Sequence, residues 1–164
     1  MSAITVFLTA AGIVALDRVT KHLAEAGLTC GASVPVLENI FHLTLVHNRG
    51  AAFGLLPDAA VFFVAVACVC AAAIVAAFGR PRLFERVFGL RVADSRVAAG
   101  LALILGGAVG NLIDRLRHGY VIDFLDFRVW PVFNIADTAI TCGGILLAVA
   151  LVAEMRRKDG PRTL

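Results

Sequence analysis

The sequence predicts an all-α membrane protein, with four transmembrane helices in a single domain over residues 1–164, a small extracytoplasmic β element and an interfacial segment. Three observations carry that prediction. Hydrophobic residues make up 60% of the chain and charged residues 16%, against roughly 45–50% and about 25% in a soluble domain, so there are too few polar side chains to clothe a soluble core. Four apolar runs have the length of roughly 17–25 residues that crosses a hydrocarbon core. The charges between those runs are sorted by loop.

The first run extends from Ile4 to Leu23. It lacks a basic n-region and leads into a charged helical turn rather than a small-residue cleavage site, so it reads as a permanent span and not as a removable signal sequence. Ala24 to Asp58 then form a loop too long to be a simple connection, and structureless loops beyond about 12–15 residues are usually functional. Within it, Phe41-His42-Leu43-Thr44-Leu45 alternates apolar and polar side chains. That alternation predicts a strand, in a small sheet on the membrane surface held by the turn residues Asn48, Arg49 and Gly50. The second run, Ala59 to Phe78, and the third, Val97 to Ile113, enclose an arginine-rich connection. Asp114 to Asn134 form the next loop. It holds Val121-Ile122-Asp123-Phe124-Leu125-Asp126-Phe127 and then Trp130, an amphipathic and aromatic stretch suited to the interface. The fourth run, Ile135 to Ala153, ends in a basic tail. No run alternates as a barrel strand would, and backbone groups in lipid must pair within their own segment, so all four are helices.

Orientation follows from the basic residues. Arg80, Arg82, Arg86, Arg91 and Arg96 lie between the second and third runs, and Arg156, Arg157, Lys158 and Arg162 in the tail, which puts both termini in the cytoplasm. The net charge of +3 is modest, and no basic stripe with interleaved aromatics suggests nucleic acid as a partner. Cys68, Cys70 and Cys142 sit in apolar runs and read as lipid-facing or packing residues, while Cys30 is a lone loop thiol. The histidines His22, His42, His47 and His118 lack paired ligand spacing, so no metal site and no cofactor is expected.

Ionisable and amide side chains cluster where the runs meet the two outer loops. Asp17 and Lys21, four apart with Arg18 beside them, share a helix face. They read either as a self-neutralising ion pair or as the lining of an inward-facing cavity. Asn111 and Asp114, three apart, share another face, with Arg115 next to them. They follow Gly106, Gly107 and Gly110, whose missing side chains allow a neighbouring helix to approach closely. Asn134 is a natural N-cap, and Asp137 lies in the first turn of the fourth span, where the helix dipole favours negative charge. A carboxylate one turn inside a span is costly unless something uses it, and Asp123 waits in the preceding loop. Two carboxylates sharing a site do not both ionise readily, so one keeps a proton while the other accepts one. Such a pair can activate water and protonate a leaving amine.

Five blocks in order resemble the lipoprotein signal peptidase family, also called signal peptidase II or prolipoprotein signal peptidase. They are Asp17-Arg18-Val19-Thr20-Lys21, Asn48-Arg49-Gly50-Ala51-Ala52-Phe53-Gly54, Gly106 to Arg115, Val121 to Phe127, and Phe133-Asn134-Ile135-Ala136-Asp137. The resemblance implies an aspartic endopeptidase of the bacterial cytoplasmic (inner) membrane. Such an enzyme removes signal peptides from prolipoproteins, cutting before the cysteine that bears a diacylglyceryl group. It implies Asp123 and Asp137 as the catalytic dyad, and Asn48, Asn111, Arg115 and Asn134 as residues that hold substrate. Asp17, Lys21, Gly50 and Asp114 match supporting positions. Diacylglyceryl prolipoproteins and membrane lipid are the implied partners, with the cyclic peptide globomycin as inhibitor. The rival reading is a small proton-coupled transporter or channel, since intramembrane Asp, Asn and Arg also build ion pathways. A conduit needs polar residues through the depth of the spans, whereas the second and fourth are apolar between their ends.

Overall fold

Each of the four apolar runs forms a helix long and apolar enough to cross a membrane. The computed structural model describes residues 1–50 and 60–159. Helix α1 (Ala3–Gly27) is capped by Ser2, whose hydroxyl accepts the Thr5 N–H at 3.1 Å. Strands β1 (Ser33–Leu37) and β2 (Phe41–Asn48) follow, then helix α2 (Ala60–Gly79) and a short helix α3 (Pro81–Phe88). Helix α4 (Ser95–His118) begins at the N-cap Asp94 and stops at Gly119, a left-handed residue (φ 75°) whose N–H bonds the Arg115 carbonyl. Only Tyr120 then separates that turn from strand β3 (Val121–Asp126), and helix α5 (Ile135–Asp159) completes the chain. Helices α1, α4 and α5 run one to two turns beyond their apolar runs, because their polar ends continue the same backbone ladder past the hydrocarbon-length core, whereas α2 ends at Gly79, one residue past its own.

The bundle is organised around α4, which packs against α1, α2 and α5. Its glycines set the spacing. A Cβ on Gly107 would collide with the carbonyl oxygen of Ala136 in α5, and one on Gly110 would lie 2.7 Å from the Asp17 carboxylate in α1. Small residues at such crossings let helices gain dispersion contact in a solvent that offers no hydrophobic drive. Away from the sheet the interior is apolar, with Val6, Ala10, Ala98, Leu101, Ala102 and Leu105 buried. Polarity is inverted relative to a soluble protein. Val61, Phe62 and Val69 of α2 point outward, whereas Asp17, Lys21, Asn111, Asp114, Asp123 and Asn134 are buried. All four cysteines are exposed, those in α2 and α5 on apolar helix surfaces.

The strands form one antiparallel sheet in the order β1-β2-β3. Asn48 pairs with Val121, His47 with Ile122 and Val46 with Asp123, and a bulge interrupts β2 between Leu43 and Val46. Leu45, Ile122 and Phe124 pack with Ala24 at the end of α1, which seats the sheet on one end of the bundle. The strand expected at Phe41 to Leu45 is therefore present and longer. Val121 to Phe127, expected as an amphipathic interfacial stretch, is a strand up to Asp126, and most of its residues are buried. One edge pairs with β2 and the other accepts a bridge from Phe133 to Leu125, so its polar residues meet protein rather than headgroups. Interfacial character is confined to the turn that follows, where Phe127, Val129 and Trp130 are exposed.

Candidate active site

Asp123 and Asp137 come from different elements and line the same cleft, of about 330 Å³, beneath the sheet. Each is held by amides whose orientation the surrounding donors dictate. Asn48 ends β2, and its Oδ1 accepts the Gly50 N–H at 3.0 Å, an Asx turn that leaves its Nδ2 to donate to Asp123 Oδ2 at 2.9 Å. Asn134 caps α5. Its Oδ1 accepts the Asp137 N–H at 2.9 Å while Asp137 Oδ2 accepts the Asn134 N–H at 3.3 Å, a reciprocal capping box that turns the Asp137 carboxylate back toward the helix start. The Asn134 Nδ2 is thereby aimed at Asp123 Oδ1, 2.7 Å away, and also reaches Asn111 Oδ1 at 3.1 Å. Asn111 is fixed by Lys21, which can only donate. The ammonium donates to Asn111 Oδ1 at 2.9 Å, so Asn111 Nδ2 faces Asp137 Oδ1, at 2.7 Å.

Behind this layer lies a buried ionic cluster outside the cleft. Lys21 Nζ is 2.9 Å from Asp17 and 2.6 Å from Asp114, and Arg18 pairs with Asp114 at 2.5 Å and with Asp17 at 3.5 Å. The two carboxylates have a second function in common. Asp114 Oδ2 accepts the N–H of Ile122 at 3.3 Å, and Asp17 Oδ1 accepts the N–H of Ala136 at 3.1 Å. Each clamps the backbone one residue before a carboxylate of the candidate pair. Asp17 also satisfies one of the free N–H groups at the start of α5. The i,i+4 spacing of Asp17 and Lys21 signalled a pair, but not the clamps.

Arg115 lines the cleft, with its guanidinium 4.9 Å from the Phe63 ring centre and its Nη1 3.4 Å from the Asn111 carbonyl oxygen. Phe63 carries no sequence signal beyond being apolar in an apolar run. Gly50 lines the cleft beside Asn48, while Ala51 to Gly54, the rest of that block, lie outside the described residues. His47 and His118, far apart in sequence, flank the Tyr120 ring at 4.1 and 5.5 Å. Asp126 turns to a separate network, accepting from Thr44 Oγ1 at 2.7 Å and from Arg128 Nη1 at 3.1 Å. A second, largely apolar hollow of about 450 Å³ shares Trp130, Phe133, Asp137 and Thr141 with the cleft and continues to Phe127, Thr138 and Cys142.

Burial first, and then the charge of Asp137, push the Asp123 carboxyl up to about 7, against the Asn48 and Asn134 amides, which favour its ionised form. A carboxyl so poised near neutrality, sharing a cleft and an amide network with a second carboxyl, can hold or release a proton beside a bound molecule.

Residues 9–153 match the family model described as signal peptidase (SPase) II. A lipoprotein signal peptidase of Pelotomaculum thermopropionicum is 44% identical over 148 residues, covering 90% of this chain and 91% of that one. Its counterpart in Moorella thermoacetica is 46% identical over 145 residues, covering 85% and 87%. Two bacterial membrane enzymes solved by the in meso method share the fold. One superposes with a TM-score of 0.82 at 29% identity, covering 99% of this chain and 96% of that one. The other has a TM-score of 0.74 at 31% identity, covering 91% and 93%.

Proposed function

The chain belongs to the signal peptidase II family, and from that membership and the geometry of the cleft we propose that it is an intramembrane aspartic endopeptidase. It removes the signal peptide from diacylglyceryl-modified prolipoproteins, cutting before the lipidated cysteine, in the bacterial inner membrane with both termini cytoplasmic. The observation that carries the reading is the convergence of Asp123 and Asp137 on one cleft, each carboxylate held by an amide whose orientation is set from behind.

In the proposed reaction one carboxyl of the pair is protonated and the other ionised. The ionised one takes a proton from water as its oxygen bonds to the scissile carbonyl carbon, and the protonated one gives its proton to the carbonyl oxygen. In the resulting diol the C–N bond then breaks. The carboxyl that gained a proton passes it to the leaving amine, and a diol hydroxyl returns one to the other carboxylate, which restores the pair. Arg115 offers a fork of donors to substrate carbonyls beside the pair, and Asn48, Asn111 and Asn134 hold the carboxylates and the peptide. Asp17, Lys21 and Asp114 support them from the buried cluster. Globomycin-type inhibitors would occupy the same cleft.

The position of the carboxylates also accounts for a lipidated substrate. Asp137 is in the first turn of α5 and Asp123 in the strand just outside the spans, so the reacting bond sits at the interface. Acyl chains contribute about 0.8 kcal/mol per buried CH₂, and two of them anchor a cysteine at that depth. The neighbouring peptide bond then meets the pair almost as an intramolecular partner. The apolar hollow beside Trp130 and Phe133 supports placement of an apolar substrate segment there. A transporter is disfavoured because the buried polar residues gather at the sheet end, while the interior nearer the other end is lined by Val6, Ala98 and Ala102.

The test is to incubate the purified protein in micelles with a prolipoprotein carrying or lacking its diacylglyceryl group and to identify the products by mass. Cleavage of the lipidated form before its cysteine, with little or none of the unlipidated form, is expected. No cleavage of either would overturn the proposal, and equal rates would mean that only peptide is read.

A further inference from the structure

At the end of the bundle away from the cleft, α2 gives way to α3 after a single residue, Arg80. A membrane-crossing helix that ends there fixes where the next eight residues lie: at the surface of the leaflet, along a path of about 12 Å. Placed at about 100° per residue, Leu83, Phe84, Val87 and Phe88 fall on one side of α3 and Arg82, Glu85 and Arg86 on the other. Phe84 is fastened to the bundle through the cluster that holds Ile74 and Leu90, and its ring lies 4.9 Å from that of Phe88. The rest of the apolar side is uncovered, with Leu83, Val87 and Phe88 exposed by 50%, 63% and 57%. Val69 and Val75 of α2, the helix that leads into α3, are exposed as well, so both elements turn apolar side chains outward.

The basic side has an equally specific character. Arg91 pairs loosely with Glu85, at 3.8 Å, and Arg96 is neutralised by Asp94, at 2.9 Å. Arg82 and Arg86 make no ion pair among the described residues and are exposed. Two unpaired guanidinium groups one turn apart, above an apolar strip at the membrane boundary, are complementary to negatively charged headgroups.

We propose that α3 is a lipid-binding helix: Leu83, Val87 and Phe88 enter the headgroup boundary of the leaflet opposite the cleft, and Arg82 and Arg86 bind acidic phospholipid there. Because α3 joins α2 to α4, whose far end carries Asn111, Asp114 and Arg115, the contact fixes the depth of the central helix in the bilayer.

The full chain is tested in vesicles of phosphatidylcholine with a minor fraction of phosphatidylglycerol. Trp130→Phe provides a background without tryptophan, and Val87→Trp or Glu85→Trp then reports one side of α3 by quenching from brominated lipid. Val87→Trp should be quenched strongly and Glu85→Trp weakly. When only phosphatidylglycerol is brominated, quenching of Val87→Trp should exceed that expected from its bulk fraction by about twofold or more, and Arg82→Gln with Arg86→Gln should remove the excess. Equal quenching on both sides of the helix would overturn the interfacial placement. Absence of any phosphatidylglycerol excess, in protein whose helical circular dichroism is unchanged, would overturn the acidic-lipid site.

Discussion

Replacing Lys21 by methionine probes the ionic cluster behind the cleft. In the intact protein two carboxylates, Asp17 and Asp114, face two cations, Arg18 and Lys21; both acids are 0% exposed and Lys21 is 1% exposed. Methionine fills most of the lysine's volume but leaves the two acids to share Arg18, which is 24% exposed and 3.5 Å from Asp17. Removing one partner of a buried pair costs about 3–5 kcal/mol. At roughly 2–4 °C per kcal/mol for a chain of this size, the midpoint of thermal unfolding should fall on the order of 10 °C. Asn111 also loses the donor that aims its amide at Asp137, so activity should fall further than the loss of folded protein explains. Asp114→Asn alone leaves an excess cation and a weaker acceptor for the Ile122 N–H, and costs about 1.5–3 kcal/mol. The double variant is electrically balanced again, so its loss should be smaller than the summed losses by about 1–3 kcal/mol. The assay is unfolding of the four proteins in one detergent. A Lys21→Met protein within 1 kcal/mol of the parent, or strict additivity, would refute the coupling.

Four other expectations follow from the same geometry. Asn48 lowers the proton affinity of Asp123, which burial has pushed up to about 7, so activity should fall as pH rises through that region, and Asn48→Ala should move the alkaline limb to higher pH; an unmoved limb would contradict the assignment. Arg115→Lys keeps the charge and loses the fork, so kcat/KM should drop about tenfold or more without loss of fold. Phe63→Leu removes the ring under Arg115, worth about 0.5–2 kcal/mol, and should cost a several-fold loss in the same assay. Gly107→Val should separate α4 from α5 and lower both activity and thermal midpoint, whereas Gly12→Ala, with no atom within 4 Å of the added methyl and a better helix former in place of glycine, should lower neither.

The spans were legible because hydropathy over some twenty residues reports the solvent directly, and β2 was legible because Phe41 to Leu45 alternates. β1 was not, since Ser33 to Leu37 contains Pro35 and is exposed throughout, so that only its pairing to β2 defines it. β3 was not legible as a strand, because a short run such as Val121 to Phe127 fits an amphipathic helix face and a two-sided strand equally well, and the partner that decides lies in β2. The short helix α3 was hidden in an arginine-rich connection that reads first as a charge signal. Within the site, residue types and order were legible in the five blocks. The partnerships were not. That Asp17 would hold the N–H of Ala136, 119 positions away, depends on how closely α1, α4 and α5 cross, which Gly107 and Gly110 permit without naming the partner.

Asp123→Asn and Asp137→Asn remove one member of the pair each with almost no change in volume, and the double variant removes both. All three should remain folded in micelles and lose cleavage of the diacylglyceryl prolipoprotein, the double losing little more than either single, because groups that act as a unit are not additive. The decisive measurement is therefore the rate of product formation, read by mass, for these three variants beside the parent on that one substrate. Loss in both single variants with no further large loss in the double is the expected result, and parental turnover by either folded single variant would contradict the assignment of Asp123 and Asp137.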